Sequence, residues 1–244
     1  TDISLKIPVS LRHGWEDDIM AFDGVVISNI VHDMKERIVG GRIYKIYQPE
    51  ADEINLVVKN LGTTFRIMLN ASATLPLVYF LSDNKKNPLT APNFCMLLRK
   101  HIGNGRIIDV YQPGFERIIV IEIEHLDEMG DICRKKIVIE LMGKYSNIIF
   151  LDQNGTIIDS IKRIGSNISS VREVLPGREY VMPPNDKSDP NDLTKDILIN
   201  DILSKPVSID KAIYSSITGF SKETANEICY RAGIDGNFST DSLA

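Results

Sequence analysis

The sequence predicts an α+β protein, with a mostly antiparallel β domain and flanking helices followed by a small all-α domain. Short runs of β-branched and aromatic residues follow one another without the regular strand–helix alternation of a parallel sheet. The dipeptide Asn154-Gly155, set between two apolar runs, is a strong signal for a β-hairpin. In residues 174–192 four prolines interrupt the β pattern, and helical patterns follow them.

The first predicted helix begins after Asp23, whose carboxylate can cap its N-terminus. Gly40-Gly41 ends it. The apolar residues between them recur with the helical period and are Ile27, Ile30, Val31, Met34 and Ile38. An antiparallel meander is predicted next, with the strands RIYKIYQ (residues 42–48), INLVVK (54–59) and TFRIML (64–69).

The second predicted helix starts near Pro92 and ends at Gly103-Asn104-Gly105. We expect it to turn four apolar residues toward the core, namely Phe94, Leu97, Leu98 and Ile102. More strands follow, which are RIIDVYQ (106–112), RIIVIEIEH (117–125), KIVIELM (136–142) and NIIFLD (147–152). Between the last two, Gly143 predicts a bulge or corner in the strand, from which polar side chains project.

The chain divides into three predicted segments. Residues 1–19 show no sustained period and precede the first methionine, so we treat them as an extension of unassigned status. Residues 20–184 form the N-terminal domain. Residues 185–244 carry helical patterns, and Gly219 joins the last two of these in a tight turn typical of a helix-hairpin-helix domain. Since no closing element follows, we expect this domain to be truncated.

The composition is that of an ordinary globular protein, with 43% hydrophobic and 25% charged residues. The net charge of −5 argues against indiscriminate binding of nucleic acid, although cations cluster locally, as at Arg99-Lys100-His101. The three cysteines are far apart and odd in number, which indicates a reducing compartment. Because the sequence shows no signal-peptide pattern and no apolar run of membrane-spanning length, we predict a cytoplasmic protein without a membrane partner.

The motifs of the common enzyme and cofactor classes are absent from the sequence. It contains no P-loop, GxGxxG, HExxH, CxxC or GxSxG, and its four histidines lack the spacing of metal ligands. A carboxylate pair such as Glu122 and Glu124 is better explained as alternate residues on the solvent face of a strand. The sequence therefore predicts no catalytic centre, no metal and no cofactor.

Four stretches together resemble a known family. They are MAFDGVVISNIVHDMKERIVGGRIYKIYQP (20–49), NFCMLLRKHIGNGRIIDVYQPGFERIIVI (93–121), ELMGKYSNIIFLD (140–152) and VREVLPGREYVMPP (171–184). In this order and spacing they resemble the N-terminal half of the NFACT family, long described in bacteria as fibronectin-binding protein A-like. The resemblance extends from Met20 to about Gly233.

This resemblance implies a factor of ribosome-associated quality control. Members of the family bind the large ribosomal subunit after a stall, while peptidyl-tRNA remains attached. Bacterial members recruit alanyl-tRNA and support untemplated C-terminal alanine tailing. Their N-terminal domain contacts tRNA, and a coiled coil and a later domain follow it. We therefore expect a binding protein for tRNA and the large ribosomal subunit, rather than an enzyme.

The N-terminal domain of the family also resembles formamidopyrimidine-DNA glycosylases, which use an N-terminal proline amine as nucleophile. Here Met20-Ala21-Phe22 stands in that place behind 19 further residues, so we reject glycosylase activity. Two alternatives to the tRNA role stay open. One is a surface adhesin for fibronectin, which the missing export signal and anchor disfavour, and the other is a DNA-binding relic of the glycosylase fold.

The resemblance assigns RNA contacts to an acid-arginine pair that maps onto Glu116-Arg117. An arginine donates two parallel hydrogen bonds to a phosphate or base edge, and the carboxylate can orient it or accept from a base amine. The family more often has aspartate here, so the longer Glu116 is a departure. Asp23 matches another functional acid of the family, but an N-cap role worth about 1 kcal/mol explains it equally well.

Five further residues are candidates for RNA contact on chemical grounds. Arg99 and Lys100 lie in the last turn of the second helix, where cations complement the helix dipole and can also meet phosphates. Lys144, Ser146 and Asn147 offer donors beside Gly143 and suit phosphate or ribose contacts. The alternative for Ser146 and Asn147 is that they satisfy backbone groups at a corner of the sheet.

Overall fold

The computed structural model describes residues 22–83, 85–127 and 129–243. The predicted extension at residues 1–19 lies outside this range, as do Met20 and Ala21. The strands are β1 (Arg42–Tyr47), β2 (Glu53–Asn60), β3 (Thr63–Asn70), β4 (Leu77–Phe80), β5 (Arg106–Tyr111), β6 (Ile118–Leu126), β7 (Ile132–Glu140), β8 (Asn147–Leu151) and β9 (Ile157–Ser160). They form one antiparallel sheet in the order β4-β3-β2-β1-β5-β6-β7-β8-β9.

Two helices, α1 (Gly24–Ile38) and α2 (Asn93–Ile102), pack on one face of this sheet. They bury most of the apolar residues that the helical period predicts, namely Ile27, Val31, Met34 and Ile38 in α1, and Phe94, Leu98 and Ile102 in α2. Ile30 and Leu97 are only partly buried at the margin of the core. The predicted α+β fold with a large antiparallel sheet is confirmed.

A second apolar cluster lies on the opposite face of β6 to β9. It consists of Ile118, Val120, Val138, Ile149, Leu151, Ile157 and Val174. Ile164 and Tyr180, from the segment that follows β9, pack against it. Because β8 and the first half of β6 are covered on both faces, their sequences are continuous apolar runs, whereas the second half of β6 alternates with Glu122 and Glu124.

The segment between β7 and β8 is a tight connection, so the structure has the corner that the sequence allows at Gly143 and not the bulge. Strand β7 ends at Glu140, a 3-10 turn spans Gly143–Tyr145, and β8 begins at Asn147. Gly143 has φ +57°, a value that favours glycine and starts this turn. Strand β4 is absent from the sequence prediction.

The hairpin at Asn154-Gly155 is confirmed, although a different residue organises its turn. The carboxylate Oδ1 of Asp152 accepts hydrogen bonds from the backbone N–H groups of Asn154 and Thr156, at 2.9 and 2.8 Å. Gly155 has φ +84°. The connection is therefore an aspartate-anchored loop, longer than the two-residue turn that Asn-Gly favours.

A buried ionic cluster fixes the segment that follows β9. The Glu140 side chain is fully buried, forms an ion pair with Arg172 and accepts a hydrogen bond from the Tyr180 hydroxyl at 2.8 Å. Arg172 also donates to the Val181 carbonyl at 2.8 Å. Burial lowers the pKa of Arg172, but the hydrogen bond to Glu140 and the negative charge of Glu140 outweigh burial, so the pKa of Arg172 is raised. Burial, and then the Glu140 charge, raise the pKa of Tyr180, so its hydroxyl stays a donor.

The C-terminal region is helical. Its elements are α3 (Lys195–Ile197), which continues as a π-helical turn over Leu198–Ile202, α4 (Ile209–Ser216) and α5 (Lys222–Ala232). They share an apolar cluster of their own, formed by Ile202, Ile209, Ala212, Ile213, Ile217, Ala225 and Cys229. In the part of the chain that the structure describes, no helix has both the length and the apolar character needed to cross a membrane.

We predict that Glu140→Ala lowers the free energy of unfolding by about 3–5 kcal/mol, because it leaves the Arg172 charge buried without a partner. Urea denaturation of both proteins measures the difference. Glu173→Ala is the control, since it breaks the more exposed pair with Arg178 and is expected to cost less than about 1 kcal/mol. Similar losses in the two variants would show that the Glu140 cluster adds nothing beyond a surface ion pair.

Candidate nucleic-acid interface

A cavity of 310 Å³ lies where the start of α1, the turn before β6 and two C-terminal segments meet. It contains the predicted residues Asp23, Glu116 and Arg117, which come from distant parts of the chain. The other residues that line it are Phe22, Met142, Pro183, Pro184, Asn185, Lys187, Gly219, Phe220 and Ser221. The cavity thus combines apolar walls with charged groups of both signs.

The turn that carries Glu116 and Arg117 is held in a fixed shape. Gly114 and Phe115 have φ +53° and +59°, so the chain reverses sharply before β6. The Gln112 amide donates to the Glu116 carbonyl at 2.8 Å and to the Gly24 carbonyl at 3.0 Å. These bonds fasten the turn to the first residue of α1.

The same turn meets the C-terminal region through two glycines in backbone contact. The Gly24 N–H donates to the Gly219 carbonyl at 2.6 Å. A Cβ on Gly24 would lie 2.5 Å from the Phe115 carbonyl oxygen, and a Cβ on Gly219 would lie 2.2 Å from it. The rings of Phe115 and Phe220 pack edge to face beside this contact, with centroids 6.0 Å apart. Only glycine permits this approach of three backbones.

Asp23 joins two helix N-termini. One carboxylate oxygen accepts from the Val26 N–H at 3.0 Å and caps α1, as the sequence predicts. The other accepts from the Ser221 hydroxyl at 2.8 Å and from the Thr224 hydroxyl, both at the start of α5. Asp23 is only 6% exposed. Its carboxylate therefore joins α1 to α5, and both of its oxygens are already occupied.

Glu116 is also fixed within the protein. Its Oε1 accepts from the Asn185 amide at 2.5 Å, and the same amide donates to the Thr218 hydroxyl at 2.7 Å. Asn185 thereby connects the turn before β6 to the chain that enters α5. The carboxylate remains half-buried at the cavity wall, where its second oxygen can accept from a ligand.

Arg117 differs from both acids because its side chain is exposed. Among the described residues, none forms a hydrogen bond or an ion pair with its guanidinium. Its backbone is nevertheless fixed, since its carbonyl accepts from the Leu141 N–H at 2.9 Å. The protein thus presents a guanidinium from a rigid strand end to a cavity with an acid beside it.

The three candidates near Gly143 separate into one surface residue and two buried ones. Lys144 is exposed and lies near the Tyr145 ring, with its ammonium 5.0 Å from the centroid. Ser146 is 1% exposed and accepts from the Met142 N–H at 2.8 Å. Asn147 is 2% exposed and forms two hydrogen bonds with the Lys162 backbone, at 2.8 and 3.1 Å.

The prediction that Ser146 and Asn147 contact RNA is therefore wrong for this conformation. Both side chains satisfy backbone groups at the corner between β7 and β9, which is the alternative that the sequence left open. Because both side chains are almost fully buried and hydrogen-bonded inside the protein, neither is presented to a ligand. Lys144 remains a candidate, two residues from Met142 in the cavity wall.

Arg99 and Lys100 do not line this cavity. Arg99 donates through Nε to the Ile46 carbonyl at 2.8 Å and borders a separate groove of 390 Å³ at the edge of β1. Lys100 is exposed in the same last turn of α2. The structure thus divides the predicted cationic residues between two places on the sheet.

Sequence reasoning missed most of the residues that build the cavity. Asn185, Ser221 and Thr224 are ordinary polar residues, and nothing local in the sequence shows that they reach Glu116 and Asp23. Gly219 was identified only as a tight turn. Its second role, contact with Gly24, depends on a residue near the other end of the described chain and has no local signal.

Comparison with known proteins identifies similar sequences. The family described as the NFACT N-terminal and middle domains matches residues 23–244. The Rqc2 homolog RqcH of Bacillus subtilis is 36% identical over 217 residues, covering 88% of this chain and 38% of that protein. The archaeal Rqc2 homolog aRqcH of Methanocaldococcus jannaschii is 31% identical over 201 residues, covering 79% and 26%. The chain thus spans less than half the length of these relatives.

Solved structures with a similar fold carry a different description. The N-terminal domain of the fibronectin-binding protein PavA from Streptococcus pneumoniae superposes with a TM-score of 0.80 at 30% identity, covering 87% of this chain and 80% of that one. The N-terminal part of the fibronectin/fibrinogen-binding protein FBPS from Streptococcus suis gives 0.80 at 30% identity, covering 91% and 84%.

We predict that Gly219→Ala destabilises the protein more than Gly233→Ala does. Both glycines have positive φ, +71° and +72°, so alanine carries a similar backbone cost of about 1–2 kcal/mol at each. Only at Gly219 would the new methyl group also overlap the Phe115 carbonyl, since the space around Gly233 is open. Urea denaturation compares the two variants, and equal losses would mean that the glycine contact is not tightly packed in solution.

Proposed function

The chain belongs to the NFACT family of ribosome quality-control factors, and from this premise we propose that it binds tRNA at the cavity of Glu116 and Arg117. In the full-length protein this binding would act on the large ribosomal subunit that carries a stalled peptidyl-tRNA, in support of C-terminal alanine tailing. The chain spans 38% of the length of its Bacillus subtilis relative, so these wider activities belong to the proposal. We place this activity in the cytoplasm.

The observation that carries the proposal is the exposed Arg117 guanidinium, which lacks an ionic partner among the described residues. The adjacent Glu116 accepts from Asn185 and does not pair with the Arg117 guanidinium. The fork of Arg117 is therefore left to donate to a phosphate or a base edge. Lys187 and Lys144 add positive charge near the cavity and favour an anionic ligand.

The arrangement of the two acids favours binding without catalysis. Asp23 has both oxygens occupied by the two helix N-termini, so it is not placed as a free base. Glu116 has one oxygen fixed by Asn185 and can use the other to accept from a base amine. We assign Asp23 a positioning role and Glu116 a contact role.

We also propose that residues 185–244 form the helix-hairpin-helix domain and that residues 20–184 form the NFACT N-terminal domain. Gly219 lies in the turn between α4 and α5, and its approach to Gly24 brings the start of α5 to the cavity. The acidic excess of this region limits any wider contact with RNA.

Two alternative functions are separated from tRNA binding by competition. The fibronectin-binding names of the solved structures describe those proteins. A fibronectin adhesin would show no specific displacement of labelled tRNA, either by unlabelled tRNA or by duplex DNA. A DNA-binding relic would prefer duplex DNA over tRNA at physiological salt. We expect unlabelled tRNA to compete and duplex DNA and fibronectin to compete poorly. Stronger competition by duplex DNA or fibronectin would replace the tRNA proposal.

We predict that Arg117→Ala weakens tRNA binding at least about tenfold, because a hydrogen bond to a charged group contributes about 1.5–3 kcal/mol. The thermal midpoint should stay nearly unchanged, since the side chain is exposed. Fluorescence anisotropy with labelled tRNA and a thermal melt measure the two quantities. Arg178→Ala, at an exposed arginine outside the cavity, is the control that should keep full affinity. Unchanged affinity of Arg117→Ala would remove Arg117 as a contact.

A further inference from the structure

Three cations lie side by side across neighbouring strands, at the end of the sheet away from the cavity. Arg42 of β1 is directly opposite Lys59 of β2 on one side and Arg106 of β5 on the other. Directly opposite residues point to the same face of a sheet, and all three side chains are exposed. We call Lys59, Arg42 and Arg106 the cation row.

The positive charge of the cation row is not neutralised by an ion pair among the described residues. Like charges directly opposite one another destabilise a sheet. Within the described ranges, no member of the row forms an ion pair; Arg42 donates to the Asn104 carbonyl at 3.0 Å instead. Glu124 is the nearest acid by register, opposite Arg106, but it is also opposite Arg134. The row therefore keeps an excess of positive charge that an external anion can neutralise.

A β-bulge adds an aromatic ring and another cation beside the row. The register between β1 and β2 shifts between Ile43 and Lys45, so that Tyr44 and Lys45 are both exposed. The Tyr44 side chain is 50% exposed, and the Lys59 ammonium lies 3.6 Å from its ring centroid. Without the bulge, successive side chains of β1 would point to opposite faces of the sheet, and either Tyr44 or Lys45 would lie in the core.

The 390 Å³ groove continues this surface along the free edge of β1. Beyond Ile43, β1 and β5 separate, and the last turn of α2 takes the place of a neighbouring strand. Arg99 lies there, with its guanidinium carbon 5.8 Å from the Tyr47 ring centroid. Cations thus alternate with two tyrosines from the row to the groove.

We propose that the cation row and this groove bind the phosphate backbone of an unpaired RNA segment, separately from the tRNA cavity. The positive charge suits phosphates, and the interleaved tyrosines suit exposed bases, which an acidic polypeptide does not offer. The two sites share no lining residue. The two sites also lie at opposite ends of β5. Its end residues Arg106 and Tyr111 are about 17 Å apart at about 3.4 Å per residue, and Arg117 lies beyond the Tyr111 end. The inference rests on the proposed function only in taking RNA as the partner.

The test neutralises the row without touching the cavity. The triple variant Arg42→Gln, Lys59→Gln and Arg106→Gln is compared with a control of equal charge, Lys195→Gln, Lys211→Gln and Lys222→Gln, at exposed positions of the C-terminal helical region. The probe is a fluorescent oligouridine, titrated by anisotropy over a series of salt concentrations. Thermal melts establish folding, and the row variant is expected to melt at the same or a higher temperature because like-charge repulsion is removed.

We expect the row variant to bind oligouridine roughly 50-fold more weakly at about 0.15 M salt. This factor follows from the loss of three phosphate contacts, each of which adds about 0.7 to the slope of log affinity against log salt, between about 1 M and 0.15 M salt. Its salt slope should be shallower by about 2, and the control should resemble the wild type. If the triple variant does not fold, each single substitution should reduce the slope by about 0.7. Equal loss in the row variant and the control would overturn the proposal.

Two further measurements distinguish this site from the cavity and from a general polyanion site. Arg117→Ala should weaken oligouridine binding far less than the row variant does, so failure of the tRNA experiment alone leaves the row intact, and failure of the row alone leaves the cavity intact. Polyglutamate of matched charge should displace oligouridine poorly. Displacement as strong as that by unlabelled oligouridine would overturn the assignment to RNA.

Discussion

The backbone contact between Gly24 and Gly219 is the constraint on which the cavity depends. It brings the first turn of α1, the turn before β6 and the chain that enters α5 to within one hydrogen-bond length. Asp23, beside it, caps α1 and accepts from the Ser221 and Thr224 hydroxyls at the start of α5, and Asn185 extends the network to Glu116. Asp23 is thereby fully engaged inside the protein, and the Arg117 guanidinium and the second oxygen of Glu116 are left for a ligand.

An acidic protein can still present cationic surfaces if its negative charges are used internally or kept elsewhere. The net charge is −5, yet Glu53 pairs with Lys85 and Glu140 with Arg172, and the C-terminal region carries an acidic excess. Among the described residues, the cations without an ion pair include Arg117 at the cavity and the three members of the cation row on the outer face of the sheet. Local geometry, rather than total charge, therefore decides where a polyanion is attracted.

The sequence predicted the sheet and both flanking helices because these depend on local periodicity and turn chemistry. It missed β4, whose four residues are too short for a period, and it left open a bulge or a corner at Gly143, where the structure has a turn. Glu116, Arg117 and Asp23 were found through family resemblance, whereas Asn185 and Thr224 were not found at all. Their roles depend on contacts between distant segments. Ser146 and Asn147 show the opposite error. Their residue types suggested donors to a ligand, and only their burial in the structure reveals that they bond internally.

The separation of β1 from β5 has a consequence for self-association. A strand with a free edge offers unpaired backbone groups to which another chain can add, and this is a route to aggregation. Here the Ile46 carbonyl on that edge already accepts from the Arg99 side chain, and the Cys95 thiol lies 3.6 Å from it. Helix α2 thereby blocks the strand edge with side chains rather than with a further strand, which protects against fibre-like growth while leaving the groove open to solvent.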